Sequence, residues 1–453
     1  MPHQPHSHTA TVIGAARSGL AAARLLASRG TEVFLTDAGP VSAEAQAVLE
    51  TAGVAFEAGG HTDRALDTEL VVLSPGVPTQ APIVQNALGR GIRVVSEIEL
   101  ASWHCADPIV AITGSNGKTT TTSLIGHVFE TAGRPYTLAG NIGRAFSDAV
   151  LESRPAETVM VLEVSSFQLD HIDTFRPRVS VLLNVTPDHL NRYAGYDAYF
   201  AAKLRIFENQ RTGDVLVYNY DDEPVREAVL ARDPTNTVHA IGFSQHEELD
   251  EGAFLRGDQI VYRTHQTEAS LMYVNELALP GRHNLYNSLA AAVAARAMEV
   301  RSDVLRESLM RFEGVPHRLE LVRTLNDVRY VNDSKATNVN AVWYALESFE
   351  RPIVLIAGGR DKGNDYSSLF ELTKAKTRGV VAIGESGEKV MTEFAPHTPQ
   401  TVRAFTMQEA IDLARDIAQR GDVVLLSPAC ASFDMYANYE ERGDTFRRLV
   451  KAL

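Results

Sequence analysis

The ten residues Ala-Ile-Thr-Gly-Ser-Asn-Gly-Lys-Thr-Thr at 111–120 constrain the fold of this chain more than any other segment. The apolar, β-branched run at 108–113 predicts a buried strand. The two glycines then allow a tight turn whose backbone N–H groups can face a polyphosphate, and Lys118 adds a cation for its oxygens. Thr119 opens the next helix and offers a hydroxyl to Mg²⁺. Ile112 stands where the usual phosphate loop has its first glycine, so a glycine turn with a chance lysine is the alternative.

The composition favours a protein that binds small ligands. At about 100–200 residues per domain, a chain of 453 residues predicts three domains. The chain has 43 Lys and Arg against 57 Asp and Glu, and its net charge of −14 argues against a nucleic-acid-binding surface. Cys105 and Cys430 stand far apart without metal-ligand spacing, as expected in a reducing compartment.

The sequence predicts neither a membrane span nor a signal peptide. No apolar run reaches the roughly 18 residues of a membrane-spanning helix, and residues 1–9 lack the hydrophobic core of a signal peptide. The histidines of this tail could catch a metal, but a frayed terminus is favoured. We therefore expect a cytoplasmic monomer without membrane insertion.

Strand–glycine–helix patterns recur three times and predict an α/β protein of three successive Rossmann-like, nucleotide-binding modules. The central module carries the phosphate loop and is expected to be a P-loop-type ATPase sheet. We place the modules at 1–96, 97–314 and 315–453. The polar segment 247–270 is interpreted as a hairpin excursion from the central module.

The first module begins as a Rossmann-like βαβ unit. Gly14 follows a short apolar strand, and Asp37 ends the next strand about 20 residues further on, where an acid binds a ribose or a base. Ala16 replaces the second glycine of the dinucleotide fingerprint, the residue that lets a pyrophosphate approach closely. NAD is therefore disfavoured, and a nucleotide diphosphate that approaches in another way stays open as the ligand.

Four polar residues are candidate ligand contacts, and each also has an ordinary structural interpretation. Glu163 ends an apolar strand and suits Mg²⁺, the alternative being a solvated or helix-capping carboxylate. His189 also follows a strand, although imidazole is a poor ligand for Mg²⁺. Lys203 lies on an amphipathic helix, where an exposed lysine is the ordinary reading. Arg318 stands at a module junction, where it can reach a γ-phosphate or simply lie on the surface.

Two further groups of polar residues share a side of the chain. Asn284 and Asn287 lie on one helix face and suit either an adenine or a helix start. Asp333, Lys335 and Thr337 alternate, so on an extended segment they point to one side. Asp333 suits the ribose of ATP, Lys335 a phosphate or carboxylate, and Thr337 a carboxylate.

Blocks in order along the whole chain resemble the Mur ligase superfamily. The blocks lie at 115–119, 140–143, 163–170, 184–189, 202–206, 281–287, 317–318, 332–338 and 426–434. Those at 163–170, 332–338 and 426–434 resemble the D-glutamate-adding members in particular. The resemblance implies an ATP-dependent ligase that joins D-glutamate to UDP-N-acetylmuramoyl-L-alanine through an acyl phosphate, giving ADP and phosphate in peptidoglycan precursor synthesis.

The resemblance also implies a role for individual residues. Catalytic roles fall on Lys118, Lys203, His189 and Arg318. ATP contacts fall on Gly114, Ser115, Asn116, Gly117, Lys118, Thr119, Thr120, Asn287, Arg318 and Asp333. The residues expected to bind the UDP substrate are Ser18, Asp37, Gly76, Asn141 and Gln168. The D-glutamate contacts are Lys335, Thr337, Lys362, Ser432, Phe433 and Tyr439. The ligands expected for two Mg²⁺ ions are Thr119, Glu163, His189 and Lys203.

The resemblance makes Lys203 a metal ligand as its carbamate. An apolar setting lowers the pKa of a lysine and frees neutral amine to react with CO₂, so the modification is chemically plausible. The product is a carboxylate-like oxygen donor. The expectation of a second Mg²⁺ site depends on this assignment.

Other classes of protein stay open. One is a sister ligase, such as a folylpolyglutamate synthetase or another Mur ligase, although the Asp-Asn-Pro-Arg signature of the member that adds meso-diaminopimelate is absent. Another is a non-catalytic nucleotide-sugar sensor, which would not need two metal sites. The third is a Rossmann oxidoreductase, which would want glycine at position 16.

Overall fold

The computed structural model describes residues 7–188, 192–231, 238–279, 281–361 and 363–453. The chain divides into two compact units, Met1–Leu277 with Tyr286–Phe312 and Ala278–Leu285 with Glu313–Leu453. The first unit holds two sheets and the second unit holds one. Because all three sheets are mainly parallel with helices between their strands, the predicted α/β fold of three Rossmann-like modules is confirmed. The module boundaries stay predictions.

The first sheet is formed at the start of the chain. Its elements are β1 (Thr9–Ile13), α1 (Arg17–Ser28), β2 (Glu32–Asp37), α2 (Ala43–Thr51), β3 (Ala55–Ala58), β4 (Leu70–Leu73), α3 (Pro82–Gly89), β5 (Arg93–Ser96) and the following helix α4 (Glu97–Trp103). The five strands are parallel in the order β3-β2-β1-β4-β5. The turns after β1, β2 and β4 therefore meet at one edge of the sheet.

The second sheet carries the phosphate loop. Its elements are β6 (Ile109–Thr113), α5 (Lys118–Thr131), β7 (Tyr136–Gly140), α6 (Phe146–Leu151), β8 (Val159–Glu163), α7 (Ser166–Leu169), β9 (Val179–Leu182), α8 (Tyr196–Leu204), β10 (Val215–Asn219), α9 (Glu223–Leu230), β11 (His239–Ser244), β12 (Gly252–Arg256), β13 (Gln259–Arg263), β14 (Glu268–Tyr273), α10 (Arg282–Ala297) and α11 (Ser302–Arg311). The strand order is β14-β13-β12-β11-β10-β9-β6-β8-β7.

Two parts of this sheet differ in strand direction. The six strands β6–β11 and the first hairpin strand β12 pair in parallel. β12, β13 and β14 are antiparallel, which confirms the hairpin expected within 247–270. The parallel strands are continuous apolar runs because helices cover both faces of the sheet.

The third sheet belongs to the second unit. Its elements are β15 (Glu320–Leu325), β16 (Val328–Asn332), α12 (Val339–Glu347), β17 (Ile353–Gly358), α13 (Phe370–Lys376), β18 (Thr377–Ile383), α14 (Gly387–Phe394), β19 (Thr401–Arg403), α15 (Met407–Ile417), β20 (Val423–Leu426) and α16 (Tyr439–Ala452). The order is β15-β16-β20-β17-β18-β19, with only β15 antiparallel to its neighbour.

A shared core joins the two sheets of the first unit. Leu25 of α1, Leu100 of α4 and Phe146 of α6 are fully buried members of one apolar cluster that also includes strand residues of both sheets. Burial of this apolar surface stabilises the folded state by roughly 25 cal/mol for each Å² removed from water. None of the helices in the described ranges combines the length and hydropathy that a bilayer span requires.

Candidate active site

The phosphate loop lies where β6 ends between its neighbours β8 and β9. Asn184, which follows β9, fixes the loop: its Oδ1 accepts from the N–H of Asn116 at 2.9 Å, and its Nδ2 donates to the Asn116 carbonyl at 3.0 Å. Gly117 has a φ of +87°, and a Cβ there would lie 2.2 Å from Oδ1 of Asn287. Glycine is therefore required at 117 by both backbone conformation and space.

Lys118 is the first residue of α5. The N-terminus of a helix carries a partial positive charge, and the ammonium of Lys118 is a second source of positive charge at the same place. Its Nζ donates to the carbonyls of Gly114 at 2.8 Å and Ser115 at 3.0 Å, which folds the side chain over the loop. The Oγ1 of Thr120, two residues further on, is buried without a hydrogen-bond partner among the described residues. This combination of cation and helix terminus suits a polyphosphate.

Lys203 is buried, with only 2% of the residue exposed, and therefore cannot be an ordinary exposed helical lysine. Its Nζ donates to the Gly114 carbonyl at 2.8 Å and lies 4.6 Å from the ring centroid of Tyr199. Burial, and secondarily the charge of Lys118, hold the pKa of Lys203 well below its usual range. A neutral amine is the form that reacts with CO₂, so the surroundings suit the carbamate that stays a prediction.

Glu163 ends β8 and is also buried, which excludes a freely solvated carboxylate. Its Oε2 accepts from the Thr119 hydroxyl at 2.6 Å, and its Oε1 accepts from Nδ2 of Asn141 at 2.7 Å. The structure thus brings together three predicted site residues at the loop. His189, the other predicted metal ligand, lies outside the described residues.

The residues expected to hold the UDP end lie after β1, β2 and β4. Asp37 accepts from the N–H of Ala15 at 2.6 Å and of Gly39 at 2.7 Å, so its carboxylate shapes the turn after β1. Ser18 is buried in the first turn of α1. The carbonyl of Gly76, in the turn after β4, accepts from Nη1 of Arg192 at 3.4 Å. The three predicted residues therefore share one sheet edge.

Asn141 and Gln168 lie at the second sheet. The carbonyl of Asn141 accepts from Nη2 of Arg17 at 3.2 Å, which ties the start of α1 to the turn after β7. The Oε1 of Gln168 accepts from the N–H of Ser165 at 3.0 Å in a capping box. The Nε2 of Gln168 is buried without a partner among the described residues, so it is a donor available to a ligand.

The segment that follows β16 is a turn, so the expectation that Asp333, Lys335 and Thr337 share one side of an extended segment is wrong. The N–H of Ala336 donates to the Asp333 carbonyl at 2.9 Å, and that of Thr337 donates to the Lys335 carbonyl at 2.9 Å. The chain turns here because β16 ends at Asn332 and α12 begins seven residues later, at Val339.

Asp333 is buried within the second unit. Its carboxylate accepts from the Ser427 hydroxyl at 2.8 Å and from the N–H of Leu319 at 3.2 Å. Burial raises the pKa of Asp333 to about 6, against the opposing effects of the Arg318 charge and these hydrogen bonds. The Nε of Arg318 is buried without a partner among the described residues.

The predicted D-glutamate residues are partly brought together. The Nζ of Lys335 donates to the Tyr439 hydroxyl at 3.1 Å. Ser432 is buried in the loop after β20, whereas Phe433 beside it is 60% exposed. Lys362 lies outside the described residues.

Three supporting residues were missed from the sequence. Arg442 on α16 is buried, and its guanidinium donates to Oγ and the carbonyl of Ser334 at 2.9 and 2.8 Å and to the Cys430 carbonyl at 3.2 Å. It therefore joins the turn after β16 to the loop after β20. Asn184 and Tyr199, which brace the phosphate loop, were missed as well. Asn184 stood at the start of the block 184–189 without a role of its own, and the 3.0 Å contact of the Tyr199 hydroxyl with Oγ of Ser115 joins residues 84 positions apart.

Three family models match successive parts of the chain. The MurD N-terminal domain matches residues 10–83, the Mur ligase middle domain 112–295, and the Mur ligase glutamate ligase domain 317–430. A UDP-N-acetylmuramoylalanine--D-glutamate ligase of Salinibacter ruber is 62% identical over 100% of this chain and 99% of its own. The chain belongs to the Mur ligase family. A ligase of the same name from Chloroherpeton thalassium is 46% identical over 98% of this chain and 97% of its own.

Solved structures share the fold of this Mur ligase at low identity. The UDP-N-acetylmuramate-alanine ligase of Thermotoga maritima superimposes with a TM-score of 0.61 at 18% identity, covering 99% of this chain and 100% of that one. FolC of E. coli, in complex with DHPP and ADP, gives a TM-score of 0.58 at 14% identity, covering 78% and 92%. These likenesses concern the fold alone.

The donor set of this Mur ligase fits Mg²⁺ and ATP, on which the family depends. The carboxylate of Glu163 and the hydroxyl of Thr119 are hard oxygen ligands, which Mg²⁺ prefers. The loop backbone, the α5 N-terminus and Lys118 present the positive charge that a triphosphate requires. The residues present therefore suit a nucleotide with its divalent cation.

Proposed function

We propose that this Mur ligase joins D-glutamate to the L-alanine carboxylate of UDP-N-acetylmuramoyl-L-alanine and converts ATP to ADP and phosphate. The observation that carries the proposal is the 62% identity, over the whole chain, with a ligase named for this reaction. The product is a precursor of peptidoglycan. The phosphate loop and the buried Lys203 beside it support an enzyme rather than a nucleotide-sugar sensor.

In the first step, an oxygen of the L-alanine carboxylate attacks the γ-phosphorus of ATP. The new O–P bond forms as the bond between the γ-phosphorus and the β–γ bridging oxygen breaks, and ADP carries away the electron pair. Lys118 neutralises charge that develops between the β and γ phosphates, and the α5 N-terminus orients them. The protein contributes positioning and electrostatics, and the carboxylate itself is the nucleophile.

In the second step, the neutral amine of D-glutamate attacks the acyl carbon of the acyl phosphate. The C–N bond forms, the C–O bond to phosphate breaks, and the amine loses one proton. Phosphate leaves with the electron pair. The energy of ATP hydrolysis is thereby used to make an amide, and water must be kept from the acyl phosphate until the amine arrives.

Thr119 and Glu163 would supply oxygen ligands for one Mg²⁺ ion, and His189 and Lys203, as its carbamate, would supply ligands for a second. When bound, the ions would add positive charge beside the phosphates. The depressed pKa of Lys203 supports the carbamate, because the amine must be neutral to react with CO₂.

Each substrate has its own proposed contacts. The residues 114–120, Asn287, Arg318 and Asp333 contact ATP, and the UDP substrate contacts Ser18, Asp37, Gly76, Asn141 and Gln168. The carboxylates of D-glutamate contact Lys335, Thr337, Lys362, Ser432, Phe433 and Tyr439, since a di-acid needs separated cationic and N–H-rich subsites. The cytoplasmic location and the monomeric state stay predictions.

Phosphate release with a matrix of substrates tests this function. The full chain is incubated with ATP, Mg²⁺ and either UDP-N-acetylmuramoyl-L-alanine or a sister acceptor such as a folate, and with D-glutamate, L-glutamate or meso-diaminopimelate. We expect sustained release only with the UDP substrate and D-glutamate together. Faster release with the folate, or with another amino acid, would assign the chain to a sister ligase.

A further inference from the structure

A second group of ligand-forming side chains lies in the first unit, away from the residues proposed for catalysis. His239 is the first residue of β11, Glu251 precedes β12, and His265 lies in the turn between β13 and β14. The Nε2 of His239 lies 2.6 Å from Oε2 of Glu251, and the Nε2 of His265 lies 3.3 Å from the same oxygen. Three separate segments thus direct two imidazoles and a carboxylate to one point.

The spacing of these atoms suits a bound cation. The three ligand atoms lie within 4.8 Å of one another. In a tetrahedral zinc site with bonds of about 2.0–2.2 Å, neighbouring ligand atoms are about 3.4 Å apart. The 3.3 Å between His265 and Glu251 is close to this spacing, whereas the 2.6 Å between His239 and Glu251 is a hydrogen-bond distance. The Glu251 carboxylate would therefore rotate when an ion binds, and water would be the fourth ligand.

The segments that carry the ligands are held in place independently of any ion. The N–H of Thr264 donates to the Thr267 carbonyl at 2.7 Å, and the N–H of Thr267 donates to Oγ1 of Thr264 at 3.0 Å, which closes the turn around His265. Glu251 has only 14% of its side chain exposed. The two histidine side chains are more exposed, at 49% for His239 and 75% for His265. Ion binding would therefore order mainly these side chains, on a backbone that is already held in place.

The two arginines of the hairpin pair with carboxylates other than Glu251. Arg256 and Arg263 each pair with Glu248 and Glu268, at N···O distances of 2.7–3.4 Å. These arginines are thus neutralised by other carboxylates. The hairpin therefore presents no unpaired guanidinium from this pair to repel a cation at Glu251.

The cluster stands at the opposite edge of the sheet from the phosphate loop. β6, β9, β10 and β11 pair in parallel. The loop follows the carboxyl end of β6, whereas His239 opens the amino end of β11. An ion at the cluster would therefore be structural or regulatory, and would not contact the transferring phosphoryl group.

We propose that His239, Glu251 and His265 form a binding site for a first-row transition metal ion of the Zn²⁺ type. Two imidazoles and one carboxylate select such an ion over Mg²⁺, which prefers oxygen ligands alone. The ion ties the turn after β13 to the first residue of β11. Because β11 and β12 share only three register pairs, this additional link would stabilise the attachment of the hairpin to the parallel strands.

Zinc binding by the full-length protein tests the site. ZnCl₂ is titrated calorimetrically in excess Mg²⁺, and melting temperature is measured with and without Zn²⁺. His239→Ala, His265→Ala and Glu251→Gln are compared with His246→Ala, which removes an exposed histidine outside the cluster. The N-terminal histidines are present in every variant, so any binding there is a constant background.

We expect the native protein and the His246 variant to bind one more equivalent of Zn²⁺ than the three cluster variants, and to melt at higher temperature when it is bound. Co²⁺ should give the intense visible bands of a four-coordinate ion only when the cluster is intact. Equal Zn²⁺ stoichiometry and equal melting shifts in all proteins would overturn the proposal. Turnover in zinc-free Mg²⁺ checks that each variant is folded, and His→Gln replaces any alanine variant that is not.

Discussion

The carbonyl oxygen of Gly114 accepts hydrogen bonds from two lysines that have different parts in the proposed chemistry. Lys118 comes from the N-terminus of α5, where the proposed phosphate contact lies. Lys203 comes from α8 and is buried, which lowers its pKa. One carbonyl therefore accepts from both the lysine proposed to contact phosphate and the lysine proposed to become a carbamate.

Replacing Lys118 by alanine should lower kcat by at least about a hundredfold while the fold is retained, because a positioned cation of this kind contributes several kcal/mol to the transition state. Phosphate release and the melting temperature are the measurements. Lys451→Ala, an exposed lysine on α16, is the control. Near-native phosphate release by a folded Lys118 variant would show that the loop has been misassigned.

Lys203→Ala should be nearly inactive, and acetate or formate should restore part of its activity. The small carboxylate would replace the carbamate oxygen as a ligand for Mg²⁺. The measurement is turnover against acid concentration, with Lys118→Ala as a variant that the acids should not rescue. Full activity without added acid would contradict the assignment, as would an active native protein whose mass, measured after gentle handling near neutral pH, never shows the carbamate.

At the scale of elements, a buried carboxyl joins α4 to α6. Glu97, the first residue of α4, is fully buried, and its Oε1 accepts from the N–H of Ser147 at 2.5 Å. Its Oε2 has no hydrogen-bond partner among the described residues. Burial raises the pKa of Glu97 to about 7, more than the hydrogen bonds from Ser147 lower it.

Glu97 should make the protein less stable as pH rises. Its pKa in the folded state lies above its unfolded value of 4.5, so the folded protein binds more protons than the unfolded chain between these two pH values. The free energy of unfolding therefore decreases as pH rises from about 4.5 toward 7. Glu97→Gln should therefore gain stability relative to the native protein, by up to about 3 kcal/mol, between about pH 5 and pH 8. Melting temperatures of both proteins, with exposed Glu50→Gln as the control, measure this. A difference that does not change with pH would contradict it.

The elements themselves were largely predictable, and the reasons are physical. Strands such as β6, β8 and β20 are mainly apolar runs that end in a polar residue or are followed by one, so their positions follow from the sequence. The turn at 333–337 was not foreseen, because alternation alone does not distinguish an extended segment from a short turn. The structural roles of Asn184 and Arg442 depend on contacts between residues far apart in the chain, which spacing does not reveal.

In the whole molecule, the proposed contacts with the UDP substrate and with D-glutamate belong to different units. The phosphate loop and the proposed UDP contacts belong to the first unit, and the proposed D-glutamate contacts belong to the second. The family and reaction were foreseen because motifs along the entire chain match in order. The carbamate and the count of two metal ions stay predictions that rest on the resemblance alone, since no amino-acid letter encodes either.

Ser432→Ala should raise the KM for D-glutamate about ten- to a hundredfold, because one charge-assisted hydrogen bond contributes about 1.5–3 kcal/mol. The KM values for ATP and the UDP substrate should change little, and Lys362→Ala should behave in the same way. Steady-state kinetics on each variant and on exposed Ser368→Ala, the control, test this. A raised KM for the UDP substrate with an unchanged KM for D-glutamate would show that the division between the units is wrong.

The oxygen atoms of the acceptor carboxylate give the most direct test of the proposed reaction. UDP-N-acetylmuramoyl-L-alanine labelled with ¹⁸O in that carboxylate is incubated with the full chain, ATP, Mg²⁺ and D-glutamate, and the phosphate and the UDP product are analysed by mass spectrometry. We predict one ¹⁸O atom in each phosphate released and a product that has gained one glutamyl residue and retains one ¹⁸O atom. Amide product accompanied by unlabelled phosphate would contradict activation of the carboxylate as an acyl phosphate, and labelled substrate recovered without any amide product would contradict the ligase itself.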